Sequence, residues 1–174
     1  MKKFLILALI SLAMLSSISC AGSKKAEKDD AKTAKAKAEW LAFDQAMEKA
    51  AADKKYVVVD FYTDWCKWCK VMDDKTYADP SVVTALKENF VIAKINGESP
   101  EKITYRGKTM SQSDFTMSMQ VSGFPTTMFL ASDGTVIGKI PGYIEAPVFK
   151  KILEYLTSGS YKSTSLDQYL SGKK

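Results

Sequence analysis

Apolar positions along the chain fall into short blocks whose spacing changes from one segment to the next. Trp40, Leu41, Phe43, Ala46, Met47 and Ala50 recur at helical spacing and predict an amphipathic helix that ends near Asp53-Lys54-Lys55. Tyr56 to Tyr62 is then a continuous run of β-branched and aromatic residues broken only by Asp60, the pattern of a strand covered on both faces. A second such run, Phe90 to Ile95, follows a helical stretch from about Cys66 to Asn89 that breaks near Asp79-Pro80, which makes a βαβ unit. Thr126 to Leu130 and Val136 to Ile140 flank Ser132-Asp133-Gly134, an Asp-Gly hairpin signal. Val148, Phe149, Ile152, Leu153 and Leu156 predict a closing amphipathic helix. The fold class is therefore α/β: a central mixed sheet, built from a βαβ unit and then a β-hairpin, flanked by helices. Between Asn96 and Val121 the pattern weakens. Thr104 to Lys108 reads as a loop, and Ser113 as the cap of a helix through Gln120.

The first 38 residues break from this rhythm. Lys2 and Lys3 precede a nearly unbroken apolar stretch, Phe4 to Leu15, and then the small residues Ser16, Ser17, Ser19, Cys20 and Ala21. About a dozen apolar residues cannot cross a bilayer that needs roughly 20 in a helix, so the segment reads as an export signal. Ser17-Ile18-Ser19-Cys20 resembles a bacterial lipoprotein cleavage box, which would make residues 1–19 the signal and Cys20 the lipidated first residue. Ser17 departs from that box, which usually has a large aliphatic residue there. Cleavage after Ala21 is the alternative. Residues 20–38, mostly Ala, Lys, Asp and Glu, have nothing large to bury and read as a charged tether. The expected organisation is thus a signal over 1–19, a tether over 20–38, a folded domain over 39–157, and a tail over 158–174. Leu166, Tyr169 and Leu170 of that tail would dock as a short helix.

Composition changes the picture mainly by exclusion. The 174 residues include three Cys and no His, which removes Ser-His-Asp and Cys-His hydrolases, two-His iron sites, Cys₂His₂ zinc fingers and His-ligated haem. A net charge of +5 is mild and falls by two when Lys2 and Lys3 leave, so no nucleic-acid partner is expected.

Candidate chemistry concentrates at Trp65-Cys66-Lys67-Trp68-Cys69, directly after the first strand. A Cys at a helix start lies over unpaired backbone N–H groups and the positive end of the helix dipole. Both favour thiolate, the species that attacks a disulfide. Cys66 would be the exposed nucleophile, and Cys69, one turn on, the resolving thiol.

Val59 to Cys69 and the later Val121-Ser122-Gly123-Phe124-Pro125-Thr126 resemble the thioredoxin superfamily over about residues 39–157. The stretch Tyr62 to Val83 is most similar to exported thioredoxin-like thiol:disulfide interchange proteins and to the C-terminal periplasmic domain of DsbD. The resemblance implies that Cys66 and Cys69 are a redox pair, and that Asp60, six residues before Cys66, is a buried carboxylate relaying a proton to or from the resolving thiol. It also makes Pro125 a cis-proline facing the site. Phe124, Pro125 and Thr126, with Trp65, would contact substrate. Thioredoxins proper carry Gly-Pro between the cysteines, whereas Lys67-Trp68 stands here, so these two residues are the candidates for tuning the potential.

Together with the N-terminal segment, the resemblance implies an exported, lipid-anchored, monomeric thiol:disulfide oxidoreductase on the periplasmic side of a bacterial membrane, leaning towards reductase. Its only redox group would be the Cys66–Cys69 disulfide, without cofactor or metal. Its partners would be protein disulfides and a membrane thiol reductant as electron donor. A Cu(I) metallochaperone, drawing on Met110, Met117, Met119 or Met128, and a non-catalytic interaction module are the alternatives. A purely structural disulfide and half of a zinc site are the blander readings of the Cys pair.

Overall fold

The computed structural model describes residues 38–172. The signal, lipidation and tether readings of residues 1–37 lie outside them. Among the described residues, seven strands and six α-helices follow in the order β1 (Trp40–Leu41), α1 (Phe43–Asp53), β2 (Tyr56–Tyr62), α2 (Lys67–Lys75), α3 (Pro80–Asn89), β3 (Phe90–Asn96), β4 (Lys102–Tyr105), β5 (Lys108–Ser111), α4 (Gln112–Ser118), β6 (Thr126–Leu130), β7 (Val136–Pro141), α5 (Ala146–Thr157) and α6 (Leu166–Ser171), with a 3₁₀ turn at Ser160–Lys162 between the last two. A five-stranded sheet has the order β1-β3-β2-β6-β7, and β4-β5 form a separate hairpin. β1, β3 and β2 run parallel, while β6 and β7 are antiparallel to their neighbours, so the sheet is mixed as the sequence pattern predicts.

Strand alternation sorts the apolar residues into two cores. On one face Val58, Ile92 and Phe129 meet Met72, Phe149, Ile152 and Leu156 of the helices. On the other, Val57, Val59, Phe61, Ala93 and Ile95 meet Phe43, Ala46 and Phe115. Asp60 and Lys94 are cross-strand partners that fall on the first face, within otherwise apolar strands. Leu166, Tyr169 and Leu170 of α6 also pack on this face's cluster, and the Tyr155 hydroxyl donates to the Thr164 carbonyl at 2.6 Å.

Three local expectations are corrected. Trp40 and Leu41 belong to a strand paired with Ile92 and Ala93, and Ala42 is extended (φ −60°, ψ 147°), so the helix starts only at Phe43. Thr104 to Lys108 is the tip of the β4-β5 hairpin rather than a loop. Arg106 and Gly107 both take positive φ, 50° and 77°, the geometry of a tight hairpin turn, and an Arg at the first of these positions hides the signal. The helix after the hairpin is capped by Ser111, not Ser113, in a capping box with Asp114, and it ends at Ser118. The segment between β3 and β6 is integral to the second core: Ile103, Tyr105 and Phe115 are buried, and the Tyr105 hydroxyl donates to the Gly134 carbonyl at 2.8 Å.

Candidate active site

β2 ends at Tyr62, and the chain turns through Thr63 to Trp65 into α2, with the Cys66 N–H donating to the Thr63 carbonyl at 3.1 Å. Cys66 is the N-cap of α2, and its sulfur accepts from the Cys69 backbone N–H at 3.1 Å. A backbone donor aimed at a sulfur stabilises negative charge there, and the first turn of the helix adds its unpaired N–H dipoles. Cys66 and Cys69 are joined as a disulfide with Cα atoms 5.3 Å apart. Cys66 is as buried as Cys69, each 3% exposed, which corrects the expectation of an exposed nucleophile in this oxidised form. Its bond to Cys69 and its contact with that amide fold the sulfur into the helix start.

The exposed surface at this point is aromatic. Trp65 and Trp68 are 68% and 58% exposed, well beyond what large apolar side chains usually tolerate. Each is held by a neighbour. The Trp65 indole N–H donates to Glu98 at 2.9 Å and its ring meets Phe124 edge-on at 6.2 Å, while Trp68 lies against Tyr143 at 5.5 Å. Lys67, between the cysteines, points to solvent.

The Phe124–Pro125 peptide bond is cis, and Pro125 is buried at the start of β6. The Pro125 carbonyl accepts from Gly142 N–H at 2.8 Å, which ties this turn to the end of β7. Phe124 rests on Gly97: a Cβ added there would come within 2.3 Å of its ring. Thr126 turns inward, with its hydroxyl donating to the Gly123 carbonyl at 2.8 Å, so its side chain braces the turn.

Asp60 is 1% exposed, and among the described residues neither carboxylate oxygen makes a hydrogen bond. Lys94 Nζ approaches Oδ2 at 3.3 Å, but its hydrogen bonds go to Asp73 at 2.6 and 2.8 Å. Burial pushes the Asp60 carboxyl up to about 7, with Lys94 opposing and Asp73 reinforcing the rise. Tyr77, also buried, has its hydroxyl raised well above its ordinary value by burial and then by the Asp60 charge. A cleft of about 620 Å³ opens beside this cluster, lined by Cys69, Lys94, Asp73, Tyr77, Trp40 and Tyr62 among others. Lys94 thus lies between the buried carboxylate and the cleft onto which Cys69 faces. A carboxyl group near 7 can take or give a proton close to neutral pH.

Sequence reasoning missed Lys94 and Asp73. A single Lys inside the apolar run Phe90 to Ile95 was the available signal for the first, and Asp73, four residues after Cys69 on the same helical face, for the second. The methionines raised for soft-metal binding scatter. Met128 is fully buried, Met110 and Met119 pack on the second core, and Met117 is exposed. Among the described residues, no three His, Cys, Asp or Glu side chains form a metal-holding group.

A helix-capping Cys-x-x-Cys disulfide at the end of a central strand, beside a cis-proline turn and a buried carboxylate, defines a thioredoxin-like redox centre. The chain belongs to the family described as "Thioredoxin-like domain", whose pattern matches residues 43–157. Thiol:disulfide interchange protein DsbD of Photorhabdus laumondii is 29% identical over 120 residues, covering 67% of this chain and 19% of that protein. The chain spans about a fifth of the length of the DsbD relatives it matches. The Neisseria meningitidis DsbD C-terminal domain in the oxidised form aligns at a TM-score of 0.50 and 26% identity, over 69% of this chain and 98% of that one. A Helicobacter pylori thioredoxin-fold protein aligns at a TM-score of 0.59 and 22% identity, over 70% of this chain and 80% of that one, and shows the fold alone.

Proposed function

We propose that the protein is a thiol:disulfide oxidoreductase that reduces disulfides of other proteins. The observation that carries this reading is Cys66 as the N-cap of α2, its sulfur bonded to Cys69 and facing the Cys69 amide, next to the buried Asp60 cluster. In the reduced form the Cys66 thiolate attacks one sulfur of a substrate disulfide. A Cys66–substrate bond forms, the substrate bond breaks, and the leaving thiolate takes a proton. Cys69 then loses its proton to the Asp60 carboxylate and attacks Cys66 Sγ, restoring the Cys66–Cys69 disulfide and releasing the second substrate sulfur as a thiolate, which takes a proton in turn. Two electrons pass to substrate, and a membrane thiol reductant returns them by the reverse exchange. Trp65, Trp68, Phe124 and the Pro125 turn offer the surface on which an extended substrate segment rests. Lys67 and Trp68 tune the pair.

Residues 1–19 act as an export signal in this reading, and Cys20 carries a lipid that holds the domain at the periplasmic side of a bacterial membrane. Among the described residues, no helix is long and apolar enough to cross a membrane.

Cys69→Ser should trap mixed disulfides through Cys66, and the pair's reduction potential should lie near or below about −270 mV, in the range of electron donors. No trapped partner together with no disulfide-reducing activity in the wild type would overturn the reading. A potential near about −120 mV would reverse the direction of electron flow.

A further inference from the structure

The Lys94 side chain is held from four sides, and only two of them are carboxylates. Its Nζ lies 3.3 Å from Asp60 and 2.6 and 2.8 Å from the two oxygens of Asp73. The same nitrogen sits 4.8 Å from the Trp40 ring centroid and 5.0 Å from that of Tyr62. Both distances are within reach of a cation–π contact, which strengthens where the cation is partly withdrawn from water, and Lys94 is 21% exposed.

Strand register explains the convergence. Trp40 pairs with Ile92, and Lys94 pairs with Asp60, so Trp40, Lys94, Asp60 and Tyr62 project from one face of the sheet. Trp40 is itself braced edge-on against Tyr77, with centroids 4.7 Å apart, and Tyr77 is buried next to Thr127. It lines the cleft onto which Cys69 opens. β1 has just two residues and lies at the sheet edge.

We propose that Trp40 is a positioning residue that clamps the Lys94 ammonium over Asp60 and Asp73, so that the short N-terminal strand sets the charge environment of the buried carboxylate. Without the ring, Lys94 keeps its two hydrogen bonds to the more exposed Asp73 and follows that side chain outward, away from Asp60. The other groups around Asp60 are Asp73 from α2, Tyr77 after it, and Thr127 from β6, with Cys69, Lys70, Asp64 and Asp74 lining the cleft beside them. The placement of Lys94 stands apart from the proposed redox activity. Its consequence for catalysis rests on that activity.

The test is the Asp60 titration, followed by carboxyl ¹³C NMR in the oxidised protein, where neither cysteine titrates. In Trp40→Leu the Asp60 midpoint should move upward by about half a pH unit or more, towards the value in Lys94→Met, which removes the cation altogether. Trp40→Phe, which keeps a weaker ring and a similar bulk, should move it in the same direction by less. This second variant carries the test if the first does not fold. In a Lys94→Met background, Trp40→Leu should add no further upward movement. An unchanged midpoint in folded variants overturns the proposal. So does a downward one, because that is the sign expected if Trp40 only keeps water from the carboxylate. Decay of the mixed disulfide, measured across the same pH range, separates the two ideas: a carboxyl midpoint that moves without the decay profile supports the clamp and removes Asp60 from the proton transfer.

Discussion

Replacing Asp60 with Asn should flatten the pH dependence of stability in the oxidised protein between about pH 4 and pH 8. Asp60 is 1% exposed, its oxygens make no hydrogen bond among the described residues, and the cation beside it, Lys94 at 3.3 Å, is also bound to Asp73. Its carboxyl titrates at about 7 in the fold, against 3.8 when solvated. At 1.36 kcal/mol per pH unit, that gap is worth about 4 kcal/mol. The sign follows from proton linkage. Between the two values the folded chain holds a proton that the unfolded chain has released, so stability falls as pH rises through this window and stops falling above about 7. Below about 3.8 the carboxyl is neutral in both states and costs nothing as a charge.

Asn cannot ionise, so the variant lacks this slope, and Lys94 keeps Asp73 as its partner. Urea unfolding of wild type and Asp60→Asn at several pH values should show their stability difference moving in favour of the variant by up to about 4 kcal/mol from pH 4 to pH 8. Any unpaired amide in the variant adds a constant offset, and the titrating groups away from Asp60 are common to both chains and cancel. Parallel stability curves across the window would refute the reasoning, because they would mean that Asp60 titrates alike in the folded and unfolded chains.

Two further outcomes test the remaining parts of the site and the chain's start. Gly97→Ala places a Cβ within 2.3 and 2.7 Å of two Phe124 ring atoms, so the ring and the turn it precedes must shift. The expected result is a loss of about 1–3 kcal/mol of stability and a raised KM for a protein disulfide, with little change for a small-molecule disulfide, and unchanged stability and KM would refute it. Cys20→Ala should abolish incorporation of a labelled fatty acid during expression in a bacterial host. Label retained by the variant, or absent from the wild type, would leave cleavage after Ala21 as the better account.

How legible the site was in the sequence depended on whether its parts were local. Cys66 and Cys69 are three residues apart at a helix start, so the cap geometry follows from the short-range order of the chain. The two-sided burial of Tyr56–Tyr62 was likewise readable, because a strand covered on both faces has a continuous apolar run. The type of turn at Arg106-Gly107 was hidden, since Arg rarely takes the positive φ that the hairpin needs. Trp40 misled because its spacing to Phe43 and Met47 fits a helix, while its pairing partner Ile92 lies fifty-two residues away.

By itself the sequence determined the central strands and long helices, the two-faced core, the Cys pair at a helix start and the odd carboxylate in an apolar strand, because periodicity and spacing act over a few residues. Tertiary structure decided what surrounds that carboxylate. Lys94, Trp40 and the Asp73–Tyr77 stretch are three separate segments, and they meet around Asp60 and its Lys94 partner only once strand register and the packing of α2 on the sheet are set. Charge, burial and aromatic contact at a buried site depend on distances between such segments, and it is those distances that bring an ordinary carboxyl group to about 7.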